Sequence, residues 1–186
     1  MSELFSQSSQ LNSSTQLINK TEEKQFLRFN IYSRIKLMLP IGQITEVLKI
    51  QFGQIVPIPQ MPSWVMGVYN WRGDILWMVD LGHLIGLQPW YQTESNRSNH
   101  TAIVLSPNKE QKTNNAEANI NLGLVITKVE DIEMCKVTDI QLPPNSTVEG
   151  QIASFLQGYW LKQEEDMIMV LDGKTIIAAM PKNLVS

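Results

Sequence analysis

A chain of 186 residues with 43% hydrophobic side chains can bury an ordinary core, either as one domain or as two small barrels packed together. A net charge of −3 with no local run of Lys and Arg leaves nothing to attract phosphate backbones, so nucleic acid is not expected as a partner. The single cysteine, Cys135, cannot form an intramolecular disulfide, and His83 and His100 lie too far from it and from each other for any usual metal-ligand spacing. No metal and no cofactor is therefore expected. The N-terminus lacks the basic start and apolar core of a secretion signal, and no apolar run approaches the ~20 residues of a membrane span. The expected protein is cytoplasmic, without direct membrane insertion.

Residues 1–22 are rich in Ser, Gln and Asn and read as a flexible polar tail. From Glu23 onward short apolar segments alternate with Gly, Pro and Asn: QFLRFNIY, RIKLMLPIGQITEVLKI, GVYNW, ILWMV, TAIVL, NLGLVITKVEDI, FLQGYWL and DMIMVL. Segments this short, rich in Ile and Val and punctuated by turns, predict antiparallel β-structure with few, brief helices. PIPQMP at 57–62 is predicted to be extended, because each proline fixes its own φ and restricts its predecessor. The polar run at 106–121 reads as a long exposed hairpin loop.

The sequence also repeats itself. LMLPIGQITEV, beginning at Leu37, aligns without gaps on LGLVITKVEDI, beginning at Leu122, and places Glu46 opposite Asp131. ILWMVDLGHLIG at Ile75 then matches MIMVLDGKTIIA at Met167, with Asp80 opposite Asp172, each placed to cap a short helix after a buried strand. Gly67 answers Gly158 in the same way. Two divergent copies of one small β-unit, each burying its apolar faces against the other, predict a pair of related barrels. Only the first copy carries the turn Asn70-Trp71-Arg72-Gly73. By itself Arg72-Gly73-Asp74 reads as a hairpin turn with Gly73 at positive φ, since an integrin-type tripeptide has meaning only outside the cell.

Enzymatic motifs fail on inspection. Gly173-Lys174-Thr175 imitates the end of a phosphate-binding loop, but Ile168 stands where its first glycine is required. Cys135 lies in an apolar-periodic strand with no histidine near it in sequence, which predicts a buried thiol rather than a nucleophile. His83 suits a short helix, and Glu164-Glu165-Asp166 a solvated turn. No catalytic residue is assigned.

The order of these segments resembles the CheW family, the adaptor domain of bacterial chemosensory arrays, over nearly everything after the tail. Pro57-x-Pro59, Pro62, Gly67-Val68, Asn70-x-Arg72-Gly73 and Val79-Asp80-Leu81 carry the resemblance. It implies two SH3-like, five-stranded β-barrels packed through a shared hydrophobic core over 23–186. It implies as partners the regulatory domain of a CheA-type histidine kinase and the cytoplasmic tip of a methyl-accepting receptor, with recruitment to membrane-associated arrays and homomeric or mixed rings as a further possibility. The arginine of the Asn-x-Arg-Gly turn and the acidic residue of the Val-x-Glu-hydrophobic segment influence those contacts in the family. Arg72 and Glu46 occupy these positions, with Ile44, Val47, Gly67, Asn70 and Gly73 around them as interface residues. Two departures stand out: Trp71 replaces a smaller aliphatic residue, and Trp77-Met78 replaces an Ile/Val-Pro pair. Bulky residues alternating in strands are more often core than interface.

Overall fold

The computed structural model describes residues 22–32, 35–92, 99–107, 120–142, 150–162 and 166–182. The polar tail up to residue 21, the centre of the 106–121 run and Glu164-Glu165 lie outside these residues.

The described chain runs β1 (Glu23–Ile31), β2 (Ile35–Pro40), β3 (Ile44–Gln51), β4 (Val65–Trp71), β5 (Asp74–Asp80), α1 (Leu81–Leu84), β6 (Asn99–Leu105), β7 (Asn121–Ile126), β8 (Lys128–Lys136), β9 (Ile140–Gln141), β10 (Leu156–Leu161), β11 (Met167–Leu171) and α2 (Gly173–Ala178). β6 and β7 pair antiparallel, so the 106–121 run joins a hairpin as its composition predicts. The strands form two sheets, ordered β8-β1-β2-β11-β10-β9 and β3-β6-β7-β5-β4. Both sheets close. In the first, β9 resumes β8 after a short 3-10 turn at Val137–Asp139, so the outermost members of the sheet are one interrupted strand. In the second, Val56, just beyond β3, exchanges two backbone hydrogen bonds with Val68 of β4, at 2.8 and 2.9 Å. Counting β8 and β9 together, each barrel has five strands, the SH3-like arrangement that the family resemblance implies.

The copies do not coincide with the barrels. β1 and β2 from the first copy join β8–β11 from the second, whereas β6 and β7 from the second copy join β3–β5 from the first. Strands of the two copies meet at four seams: the antiparallel pairs β1 with β8 and β3 with β6, and the parallel pairs β11 with β2 and β5 with β7. Each copy thus lends its leading hairpin to the barrel completed by the other. The chain crosses between barrels at Ile41–Gln43 and at Thr127.

Strand alternation sorts the side chains into three buried clusters. Phe26, Met38, Cys135, Ile168 and Val170 fill the first barrel. Ile50, Ile55, Leu76, Met78, Ala102, Val104 and Val125 fill the second. The opposite faces of the same strands, including Phe29, Leu37, Leu39, Ile103, Leu105, Leu122 and Leu124, meet in the largest cluster between the barrels. Strands buried on both faces explain why LMLP, TAIVL and LGLVI read as nearly continuous apolar runs. Each such side chain contributes about 1.5–3 kcal/mol of burial free energy.

The predicted caps form. Asp80 accepts from the His83 amide at 3.1 Å and from the Trp90 amide at 2.8 Å, and Asp172 accepts from the Lys174 amide at 2.9 Å. Gly67 and Gly158 sit just beyond matching β-bulges, each with a carbonyl pressed against its Cα hydrogens. The 57–62 stretch differs from expectation: it turns at Pro59–Gln60, with Gln60 at φ 63°. Proline restricts the residue before it, but Gln60 precedes Met61 and is free to take the third position of a turn that Pro59 favours at the second.

Candidate protein-interaction site

The β4–β5 hairpin ends in a two-residue loop: Trp71 pairs with Asp74, and Arg72 and Gly73 between them have φ 56° and 91°. Positive φ at both positions defines a type I′ turn, the form whose twist matches a hairpin. Asn or Gly is the usual first residue, so Arg72 holds its conformation at a cost of about 1–2 kcal/mol. The Asn70 side-chain oxygen accepts from the Gly73 amide at 3.0 Å and braces the turn.

Glu46 reaches the hairpin from β3. A bulge between Ile44 and Glu46 shifts the register against β6 at the point where the Glu46 side chain meets the hairpin. One carboxylate oxygen accepts from Arg72 Nη2 at 2.5 Å, and the other accepts from the indole N–H of Trp71. The Arg72 guanidinium carbon lies 5.6 Å from the centre of the Trp71 ring, within cation–π range. The Arg72 side chain is nevertheless 72% exposed, against 21% for Glu46, so the outer edge of the guanidinium faces solvent.

Other residues assigned from sequence fall in different settings. Asn70, Gly73 and Val47 are exposed, and Ile44 is half-buried against the shared core. Gly67 is buried, and its contacts are with the backbone of Val56 and Pro57. Sequence reasoning did not include the exposed Ile75 and Val56, which flank the hairpin. Their signal was available in the alternation with Leu76 and Ile55, both buried. Trp71 and Trp77 are half-buried against the second barrel's interior and the shared core respectively, in line with core packing, but the Trp71 N–H has a polar role as well.

The corresponding hairpin of the first barrel is built differently. Lys162 occupies the place of Trp71 and donates to both oxygens of Glu133, at 2.6 and 2.8 Å. Glu133 also lies 3.0 Å from Arg28 Nε, and Arg28 Nη1 lies 3.7 Å from Glu130.

A CheW-like domain family model matches residues 25–180, which includes both barrels and every residue of the hairpin site. The chain belongs to the CheW-like family. FrzA of Myxococcus xanthus is 36% identical to this CheW-like chain over 59 residues, 32% of the chain and 35% of FrzA. The chemotaxis protein CheW of Treponema pallidum (strain Nichols) is 25% identical over 134 residues, 72% of this chain and 71% of that protein. The crystal structure of the scaffolding protein TtCheW from Thermoanaerobacter tengcongensis matches with a TM-score of 0.63 at 20% identity, covering 81% of this chain and 90% of that one, a likeness of fold.

Membership of this family makes the chain a non-enzymatic scaffold. No described helix is long and apolar enough to cross a membrane. Cys135 is 2% exposed inside the first barrel, and burial, with Asp139 as a lesser cause, pushes its thiol up to about 11 from 9.0. The unfolded chain therefore loses that proton first. The stability contributed by the neutral thiol is complete below the unfolded value near 9.0 and is lost as pH rises through about 11. Unfolding midpoints of the wild type should fall over this alkaline window more steeply than those of Cys135→Ala. Equal slopes would show that the thiol is not shielded.

Proposed function

We propose that this CheW-like chain is the adaptor that couples methyl-accepting chemoreceptors to a CheA-type histidine kinase, in chemotaxis or pilus-based motility, and that Arg72 anchors the kinase-facing contact. Family membership supports the scaffold role, and the names of FrzA and CheW relatives support chemotaxis or motility as its setting. The observation that carries the placement of the contact is Arg72 itself. A guanidinium held at a strained turn, paired on its inner side and open on its outer side, is built to meet a carboxylate or carbonyl on a second protein. Val47 and Ile75, 43% and 63% exposed, supply apolar surface nearby. Charged anchors rimmed by apolar side chains are typical of interface hot spots.

The test is a titration against the isolated regulatory domain of a CheA-type kinase from the same organism. Arg72→Gly is the informative variant, because glycine takes φ 56° without strain. Relief of about 1–2 kcal/mol of backbone strain offsets the loss of a largely exposed ion pair that contributes roughly 0–1 kcal/mol. The melting temperature should therefore change little, while binding weakens by about 1–3 kcal/mol, on the order of tenfold to a hundredfold. Unchanged affinity for the kinase domain would refute the kinase-facing placement. Unchanged affinity for a receptor tip as well would remove Arg72 from the adaptor's contacts altogether.

A further inference from the structure

Three side chains at the hairpin form a closed arrangement. Trp71 donates its indole N–H to one oxygen of Glu46, Arg72 donates to the other, and the guanidinium lies over the indole at 5.6 Å. The Trp71 ring is itself anchored against the interior of the second barrel. Arginine has a long, rotatable side chain whose freedom must be surrendered on docking, so restraint imposed beforehand favours association. Glu46 alone would leave the guanidinium free to swing about one hydrogen bond. The indole supplies a floor under it and fixes the carboxylate that holds it.

The matching position of the other barrel carries a lysine rather than an indole. There Lys162 donates to Glu133, two residues beyond the Asp131 that aligns with Glu46, and Gln163 rather than an arginine follows in the sequence. An indole donor therefore accompanies the hairpin that carries the exposed arginine. We propose that Trp71 is a positioning residue, which orders the Arg72 side chain in one orientation for docking by fixing Glu46 and underlying the guanidinium. This rests on the reading of Arg72 as a docking anchor.

Two variants separate the contributions of the indole. Trp71→Phe keeps a ring under Arg72 and removes the N–H, whereas Trp71→Leu removes both. Nitrogen relaxation of the Arg72 Nε–H group, measured on the full chain without partner, should show an ordered side chain in the wild type, a looser one in Trp71→Phe and the loosest in Trp71→Leu. Equal mobility in all three would overturn the proposal whatever the partner. Should Trp71→Leu fail to fold, as judged by its melting curve, Trp71→Phe carries the comparison.

Titration against the same kinase regulatory domain supplies the second readout. Trp71→Phe should weaken binding about threefold and Trp71→Leu on the order of tenfold. In an Arg72→Gly background neither should weaken it further, because a residue that acts through Arg72 has nothing left to position. An undiminished Trp71 effect in that background would overturn the positioning role in favour of direct contact or general support. If Arg72→Gly binds like the wild type, the anchor reading fails, while the relaxation comparison still decides whether Trp71 orders Arg72.

Discussion

Gly67→Ala should prevent the second barrel from closing properly. A Cβ at this position would lie 2.2 Å from the Val56 carbonyl oxygen, 2.7 Å from its carbon and 2.9 Å from Pro57 Cα, and φ at Gly67 is 139°. All three obstacles are backbone, so no side chain can rotate away. Relief requires Val56 to move off β4, and that movement breaks the pair of hydrogen bonds with Val68 that closes the barrel. Strain at such a φ, together with the loss of closure, should cost at least about 3 kcal/mol, a large share of the ~5–15 kcal/mol available to an ordinary domain. Thermal unfolding should show a fall of roughly 6–12 °C, or the variant should be insoluble. Gly42→Ala and Gly53→Ala, where an added Cβ meets nothing within 4 Å, are controls and should melt near the wild type. A Gly67→Ala protein as stable as these would show that the Val56 segment is not needed for closure.

Glu133→Ala should be nearly as damaging for a different reason. Glu133 is 7% exposed and sits between two cations, with Lys162 bonded to both of its oxygens and Arg28 Nε 3.0 Å away without the alignment of a hydrogen bond. The Arg28 side chain is itself only 17% exposed. Lys162 can turn to water, but deleting the carboxylate leaves the shielded Arg28 guanidinium with only the more distant Glu130, at a cost of about 2–4 kcal/mol. Replacing Arg28, Glu133 and Lys162 together with apolar residues of similar size should cost less, because only the partly exposed Glu130 loses an ionic partner and it keeps the Asn30 amide at 2.6 Å. Chemical denaturation of the single and triple variants checks both statements. A single variant no worse than the triple would mean that the network is already well solvated.

Much of the fold is legible in the sequence, and for physical reasons. Asp80 and Asp172 announce their helices because a cap must be a short polar acceptor at a fixed place. Gly67 and Gly158 stand at equivalent bulges because no other residue admits a carbonyl so close to Cα. The strands appear as apolar runs because both of their faces are buried. Partnership is not legible in this way: the apolar run of β2 says that both of its faces are buried, but not whether the barrel it joins belongs to its own copy or the other. The site shows the same limit. Resemblance marks Arg72 and Glu46 separately as residues that influence partner contacts, and only their spatial arrangement shows that they are bonded to each other. Trp71 is visible in sequence as an aromatic departure, yet its hydrogen bond to Glu46 is made beside a bulge in a distant strand. Glu133 looks like one more acidic residue in the run Glu130-Asp131-Ile132-Glu133, because nothing local reveals that it points into a barrel.

The exchange of leading hairpins has a consequence for how the molecule can come apart. A cut between the two copies would release no intact barrel: each fragment would hold three-fifths of one and two-fifths of the other. Neither piece could satisfy its open strands alone, and only reassociation of both would restore either barrel. The two barrels are therefore interlocked rather than strung together, and strain applied to one is handed to the other through the short crossings at Ile41–Gln43 and Thr127.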